Sequence, residues 1–478
     1  MKTRTLHMIG NAHLDPVWLW QWQEGYQEAK ATFRSALDRM NEFDDFVFVA
    51  SSAAFYEWVE KSDPAMFAEI QQRVKEGRWG LVGGWWVEPD CNIPSGESFA
   101  RHGLYGQRYF LKKFGVKART GFNVDSFGHA GSLPQILKKS GIDYYVFLRP
   151  MPHEKGLPSR LFWWEASDGS RVMAFRIPFE YLSWGKDVQA HALRCAGEMK
   201  DPVDEFMCFY GVGNHGGGPT IENLNSIRSL NEDTSFPVNL VCSRPDDFFQ
   251  AAESKGWSLP VVRDELQHHA SGCYASHSGI KRWNRQAENR LLAAEKWSVI
   301  ATLLGNQSYP DDFENAWRNV LFNQFHDIMA GTSLEAAYED ARNSFGESIS
   351  IADRNLNRAV QSIAWNICNE PEDGARSVIV FNPLTWPVET TVETEFNAWK
   401  PGATLLDNTG HVIPHQAVQS KTTTGRMRLC FPARLPALGY RTYRMLPARE
   451  GQSPEIPATI QASDQMLENE RFRLEFDP

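Results

Sequence analysis

Histidine and aspartate residues stand at several positions where predicted elements end. His13 and Asp15 follow the apolar run LHMIGNA, and Asp125 closes the run GFNVD. A His326-Asp327 pair ends a helix-like segment before a glycine. Because side chains two residues apart in a strand project to one face, His13 and Asp15 can converge on one point. Two imidazoles with two carboxylates form a nitrogen and oxygen donor set that suits Zn²⁺.

Each of these residues also has a plain structural interpretation. An aspartate before a glycine turn is about as typical of a helix cap as of a catalytic site. A His-Asp pair at a helix end is usually hydrogen-bonded structure. Structural zinc sites, however, are mostly Cys-rich and clustered in sequence, so dispersed His and Asp ligands indicate a catalytic metal site.

Short strand-like runs alternate with longer helix-like stretches from Thr5 to about Val262. Such alternation predicts parallel strands with helical crossovers, and roughly seven repeats predict a barrel-like α/β domain. Several runs end in polar or glycine-rich clusters: NAHLD, GGWWVEPD, NVDSFGH and GVGNHGGG. In this architecture active-site residues lie where strands end.

The remaining sequence changes character twice. From about Lys281 to Ile367, apolar residues recur every three or four positions in three segments, which predicts a three-helix bundle. Short β-type runs separated by Pro and Gly turns follow, and they predict antiparallel sheets. The last run, RFRLEF, has no later partner, so we expect an incomplete β domain. The predicted domains are residues 1–275 (α/β catalytic barrel), 276–370 (three-helix bundle) and 371–478 (start of a β-sandwich).

Composition restricts the classes of function. The chain has 478 residues, a net charge of -10 and a pI near 5.8, so it offers no basic surface for nucleic acid or anionic membranes. Because no signal-peptide core or membrane-spanning run is visible, we expect a cytoplasmic protein. Seven scattered cysteines without CxxC spacing predict reduced thiols. The 17 tryptophans are more than usual, and although most should be core, an exposed tryptophan in a cleft commonly packs on sugar rings.

Segments that follow one another along almost the whole chain resemble landmarks of the glycoside hydrolase family 38 α-mannosidases. They read HLDPVW, GGWWVEPDCNIPSGES, NVDSFGHAGSLPQILKKSGI, GNHGGGPT, FHDIMAGTS and VFNPLTW. The resemblance implies a seven-stranded α/β barrel, a three-helix bundle and C-terminal β-sandwiches, in a chain that continues past residue 478. It also implies a retaining α-mannosidase that hydrolyses terminal α-linked mannose through a covalent mannosyl-enzyme intermediate at a zinc site.

The resemblance assigns roles motif by motif. The implied zinc ligands are His13, Asp15, Asp125 and His326. Asp125 would also be the nucleophile. The implied substrate-binding residues are Trp18, Trp86, Arg149 and Asp327, although packing is an equal alternative for the first three.

The general acid departs from the family pattern. Many members have an aspartate in the glycine-rich loop, where this chain has Asn214 followed by His215. An asparagine does not donate a proton usefully, whereas His215 can do so if its pKa lies near the operating pH. Asp264 and Glu265 are the carboxylate alternatives.

Two other classes of function compete with this interpretation. A metal-dependent carbohydrate deacetylase also uses Asp and His ligands to activate water. A catalytically silent carbohydrate-binding protein would keep an aromatic pocket without the acid. The sequence leaves open the linkage that is cut, the leaving group and whether the chain forms a homo-oligomer.

Overall fold

The computed structural model describes residues 4–267, 269–368, 373–397, 401–422, 426–448 and 460–477. The chain forms two compact units: Met1–Leu291 with Asp311–Asp353, and Leu292–Pro310 with Arg354–Pro478. Within the described ranges, no helix combines the length and apolar character that crossing a membrane requires.

The first unit alternates strands and helices, as the sequence predicts. Its strands are β1 (Thr5–Asn11), β2 (Phe48–Ala50), β3 (Trp79–Leu81), β4 (Thr120–Asn123), β5 (Tyr144–Phe147), β6 (Leu161–Glu165), β7 (Arg171–Arg176), β8 (Glu205–Tyr210), β9 (Asn239–Cys242) and β10 (Val261–Val262). Its helices among and after these strands are α1 (Trp22–Glu42), α2 (Ala53–Ser62), α3 (Pro64–Lys75), α4 (Gly96–Phe114), α5 (Leu133–Lys139), α6 (Gln189–Gly197), α7 (Ile221–Glu232) and α8 (Pro245–Lys255).

The strands of the first unit form two five-stranded sheets. One has the order β3-β2-β1-β8 with β9 also paired to β1, and all its pairs are parallel. The other has the order β10-β6-β7-β5-β4 and is parallel except for β6 against β7. Buried aromatic residues such as Trp85, Phe147 and Trp164 form a core beside the second sheet. Hydrogen-bonded ladders among the described strands therefore make two sheets, with parallel pairing predominant.

Local sequence fixes the ends of helix α4. The Ser95 hydroxyl oxygen accepts a hydrogen bond from the Ser98 backbone N–H at 3.2 Å, as an N-cap does. Gly115 ends the helix at a φ of 76°, the left-handed conformation that glycine adopts without steric cost.

Four helices follow along the chain: α9 (Ser278–Leu303), α10 (Phe313–Phe322), α11 (His326–Ala330) and α12 (Glu335–Ala364). The last of them, α12, is 30 residues long and lies in the region where apolar residues recur every three or four positions. Three of the four helices are the predicted helical segments. The short helix α11 is an additional element between α10 and α12, and it begins at one of the predicted ligands, His326.

The second unit contains antiparallel sheets. Its strands are β11 (Arg376–Asn382), β12 (Val388–Glu395), β13 (Thr404–Asp407), β14 (Val412–Ile413), β15 (Gln416–Gln419), β16 (Met427–Leu435), β17 (Gly439–Leu446), β18 (Gln461–Ser463), β19 (Met466–Glu468) and β20 (Arg473–Glu475). Their orders are β11-β17-β13-β14, β12-β16-β15 and β18-β19-β20. The last run, RFRLEF, contains β20, which pairs antiparallel with the preceding strand β19.

Candidate metal and active site

Four predicted ligands, far apart in sequence, meet at one buried point. Single ligand atoms of His13, Asp15, Asp125 and His326 all lie within 4.8 Å of one another. His13 Nε2 is 2.9 Å from Asp15 Oδ1, and His326 Nε2 is 3.4 Å from Asp125 Oδ2. All four side chains are buried.

The elements explain this convergence. His13 and Asp15 follow the carboxyl end of β1, and Asp125 follows the carboxyl end of β4. Active sites of parallel α/β folds form at these strand ends. His326 begins helix α11, and its Nδ1 lies 3.0 Å from the Glu88 carbonyl oxygen, which fixes the direction of the ring.

The donor atoms fit a divalent cation. His13 Nε2, Asp15 Oδ1 and His326 Nε2 are buried without a hydrogen-bond partner among the described residues. An unsatisfied buried polar atom costs about 1–3 kcal/mol, and a metal ion bound between the three atoms would remove that cost. Two nitrogen and two carboxylate donors are a set that Zn²⁺ accepts.

Glu88, which sequence reasoning missed, contacts the predicted ligand His13 on the ring nitrogen that faces away from the cluster. Glu88 Oε1 lies 3.4 Å from His13 Nδ1 and accepts a 2.7 Å hydrogen bond from the Ser51 hydroxyl. Metal-binding histidines typically hold their second nitrogen against such a carboxylate or a carbonyl. Glu88 lies in the segment GGWWVEPD, whose position after strand β3 was the available signal.

The carboxylates give the site a negative potential. Burial lowers the pKa of His326, but Asp125 and Asp327 outweigh it and raise the pKa to about 9. Burial likewise opposes protonation of His13, whose pKa Glu88 and Asp15 nevertheless hold well above its ordinary value. A bound cation would satisfy the same carboxylates that favour these protons.

Asp125 is held as an anion. Burial raises its pKa, but the neighbouring His326 imidazole and the charge of Arg149 outweigh burial and bring the pKa far below its ordinary value. Arg149 forms a short ion pair with Asp125 Oδ1. The Tyr181 hydroxyl donates to the same oxygen at 2.7 Å. Sequence reasoning missed Tyr181, which lies in the loop after strand β7 and could have been found there as a strand-end residue.

Of the other predicted substrate-binding residues, Asp327 lies beside the cluster. Asp327 Oδ2 is 3.9 Å from His326 Nε2, and burial raises the pKa of Asp327 to about 7. Trp86 is buried, with the Arg318 guanidinium 4.6 Å above its ring, in the wall of a cavity of about 360 Å³. The partly exposed Trp18 packs edge-on against Trp20 at 5.9 Å.

The three acid candidates have different surroundings. His215 is about half exposed, and its Nε2 lies 2.7 Å from Glu24 Oε1. The loop of His215 joins the ligand segment, because the Asn214 N–H donates to the His13 carbonyl oxygen at 2.7 Å. Glu265 is exposed, and the neighbouring Asp264 pairs with a lysine ammonium at 2.7 Å.

A second group of donors lies elsewhere in the first unit. Atoms of His191, Cys195 and Cys208 are also within 4.8 Å of one another. However, His191 Nε2 is engaged 3.0 Å from the Phe209 carbonyl oxygen, and both thiols are core residues.

Known proteins share both the sequence and the fold. A family model described as the Glycosyl hydrolases family 38 N-terminal domain matches residues 3–272, and one described as the Alpha mannosidase middle domain matches residues 268–363. Alpha-mannosidase 2C1 of Mus musculus is 31% identical over 389 residues, covering 80% of this chain and 37% of that protein. Alpha-mannosidase G of Dictyostelium discoideum is 32% identical over 335 residues, covering 70% of this chain and 31% of that protein.

A solved structure has the same fold at low identity. The crystal structure of an alpha-mannosidase from Enterococcus faecalis V583 matches with a TM-score of 0.76 at 17% identity, covering 97% of this chain and 59% of that one. This chain spans about a third of the length of the two relatives compared above. Because the N-terminal family model alone matches more than half of the residues, the chain belongs to glycosyl hydrolase family 38.

Proposed function

We propose that this protein is a retaining α-mannosidase that hydrolyses terminal α-linked mannose at a Zn²⁺ site. The observation that carries the proposal is the buried cluster of His13, Asp15, Asp125 and His326. Relatives that are 31–32% identical to this chain over the aligned residues are named α-mannosidases, which supports mannose as the sugar.

Asp125 is proposed as the nucleophile. A retaining glycosidase forms a covalent bond between a carboxylate and the anomeric carbon, and water then cleaves that bond. The low pKa of Asp125 keeps the attacking group ionised, while Arg149 and Tyr181 hold Oδ1 and orient the carboxylate. When bound, Zn²⁺ would supply a Lewis acid able to anchor the sugar's 2- and 3-hydroxyls.

His215 is proposed as the general acid that protonates the leaving oxygen. Its 2.7 Å contact with Glu24 orients the imidazole. Asp264 and Glu265 remain the alternatives for this role. Asp327 is proposed to bind sugar hydroxyls, and Trp18 and Trp86 to shape the pocket.

The finer architecture belongs to the same proposal. We propose that the two sheets of the first unit form a barrel-like domain, since the Gly83 N–H beyond β3 donates to the Thr120 carbonyl oxygen of β4 at 2.8 Å. The matched family segments, residues 3–272 and 268–363, support domain boundaries near residues 275 and 370.

All seven cysteines are free, which supports a reducing compartment such as the cytoplasm. The proposed partner is an α-mannoside, not nucleic acid or membrane.

Product analysis tests the proposal. The zinc-loaded protein should release mannose from 4-nitrophenyl α-mannoside, with the α-anomer appearing first in the proton NMR spectrum. Asp125→Ala should release none. Release of the β-anomer would refute the retaining mechanism, and acetate release from acetylated sugars without mannosidase activity would favour the deacetylase.

A further inference from the structure

The loop between β7 and α6 borders the proposed nucleophile. Its Tyr181 hydroxyl contacts Asp125, and the Tyr181 carbonyl oxygen accepts a 3.0 Å hydrogen bond from the amide of buried Asn11. Two residues later, the Ser183 N–H donates to the Gly211 carbonyl oxygen at 2.8 Å, and the Gly211 N–H donates to the Ser183 hydroxyl at 3.0 Å. This part of the loop is therefore fixed to the glycine-rich loop.

The following residues of the loop are fixed as well. The Gly185 carbonyl oxygen accepts a 3.0 Å hydrogen bond from the Thr220 hydroxyl, and Lys186 accepts from the amide of buried Asn223. Gly185 has a φ of 52°, a conformation that disfavours other residues. The backbone on both sides of residue 184 is thus held by hydrogen bonds to neighbouring elements.

Trp184 stands between these fixed positions and is 85% exposed. Burying the large apolar surface of an indole is favourable in free energy, so a tryptophan is normally found in the core. An exposed indole lacks this stabilisation. Because the backbone is pinned on both sides of Trp184, its exposure does not come from an unattached segment. The fold holds a flat apolar face out to solvent at a defined place.

That place lies on the loop that contacts Asp125. Three residues of extended chain reach at most about 11 Å, so the Cα of Trp184 lies within that distance of the Cα of Tyr181, whose hydroxyl contacts Asp125. A side chain added at Gly213 would collide with Leu182 Cδ2 at 2.4 Å and with the His13 carbonyl oxygen at 2.8 Å. The loop of Trp184 therefore borders the ligand strand.

We propose that Trp184 is a specificity-determining residue, the platform on which the leaving-group sugar of an oligosaccharide stacks. This inference rests on the proposed mannosidase function and adds a residue that favours α-mannosides whose leaving group is a sugar. The C–H face of a pyranose matches an indole face in shape and polarity, while its hydroxyls remain in water. A small leaving group would not extend over the ring.

A matched pair of exposed tryptophans gives the test. Trp365 is 87% exposed at the end of α12, in the second unit, and serves as the control. We expect Trp184→Ala to lower the ratio of kcat/KM for a panel of α-mannobioses to that for α-mannosyl fluoride at least tenfold. Trp184→Phe should restore part of the ratio, and Trp365→Ala should leave it unchanged. In an Asp125→Asn background, which keeps an oxygen donor for the metal, mannobiose should quench tryptophan fluorescence, and Trp184→Ala should remove that quenching.

Other outcomes overturn the inference. Equal losses for mannobioses and the fluoride would show a structural role, and a change of oligomeric state in sedimentation of Trp184→Ala would show a protein interface. If the wild-type protein hydrolyses no mannoside, the proposed function fails. Loss of mannobiose binding in Trp184→Ala would then still support the platform, and unchanged binding would refute it.

Discussion

His13 and His326 each aim one ring nitrogen at the same buried point, and the other nitrogen of each ring faces Glu88. Packing alone does not explain two imidazoles and two carboxylates in this arrangement, because polar atoms of the cluster are buried without hydrogen bonds. This arrangement of donor atoms therefore predicts that the cluster binds a metal ion.

We expect the purified protein to bind about one Zn²⁺ per chain through these ligands, and His13→Ala or His326→Ala to lose that equivalent. Inductively coupled plasma mass spectrometry measures it. His215→Ala, which changes a half-exposed histidine outside the cluster, should keep the metal. Full metal content in His13→Ala would contradict the ligand assignment.

Glu88→Gln should lower the affinity for the metal ion although no proposed ligand is removed. Its carboxylate supports the His13 ring, and losing such a supporting group typically lowers metal affinity about 10–100-fold. Competition against a chelator of known affinity measures the change. Ser51→Ala, which removes only the hydroxyl that donates to Glu88, should have a smaller effect. Equal affinity in Glu88→Gln and wild type would disprove the supporting role.

The nucleophile and the acid should separate by leaving group. Asp125→Ala should abolish hydrolysis of every mannoside, because no covalent intermediate forms. His215→Ala should spare aryl mannosides with acidic phenols and cripple disaccharides, because only a basic leaving oxygen needs protonation. Steady-state kinetics over a series of phenols measures this. If Glu265→Gln or Asp264→Asn shows that dependence instead, the acid role moves to that carboxylate.

Helix α4 carries another buried histidine, His102, which contacts the segment that leads into α11. His102 Nε2 lies 3.1 Å from Gln324 Oε1, two residues before the ligand His326. Burial lowers the pKa of His102 to about 3, although the contact with Gln324 opposes this shift. Burial therefore keeps the ring neutral, with Nε2–H donating to Gln324 Oε1.

Neutral His102 makes stability depend on pH. Between its unfolded pKa of about 6.5 and its folded pKa of about 3, the unfolded chain binds a proton that the folded chain does not. The free energy of unfolding should thus fall on acidification by about 1.4 kcal/mol per pH unit from this residue. His102→Gln should remove that share of the slope in urea unfolding between pH 4 and 6. An unchanged slope would show that His102 is not the source.

At the scale of the whole molecule, the first unit gathers its site from positions more than 300 residues apart in sequence, from Asp15 to His326. Because the unfolded chain has no preformed site, metal binding adds to folding free energy.

Chelation should therefore lower the main thermal transition. At a free metal concentration about 1,000 times the Kd, binding contributes about 4 kcal/mol, which corresponds to a Tm shift on the order of 10 °C. Differential scanning calorimetry with and without chelator measures it. His13→Ala should already melt low and should not respond to chelator. Equal Tm values for wild type with and without chelator would show that the cluster holds no stabilising ion.

The sequence by itself determined the element types and the chemistry of the donors. The alternation of strands and helices before Val262, the helix Glu335–Ala364 and the antiparallel strands after it follow from apolar periodicity, which is a local property. The resemblance to family motifs predicted His13, Asp15, Asp125 and His326 as ligands, and the fold brings these four residues together.

Tertiary structure decided what local patterns do not encode. The supporting Glu88, the hydroxyl of Tyr181 on Asp125 and the partner of His215 depend on contacts between segments distant in sequence. Sheet pairing in the first unit is likewise set between strands that lie far apart in sequence, which is why its ladders form two sheets. The exposure of Trp184 has the same origin, because only the folded backbone shows which of the tryptophans are left outside the core.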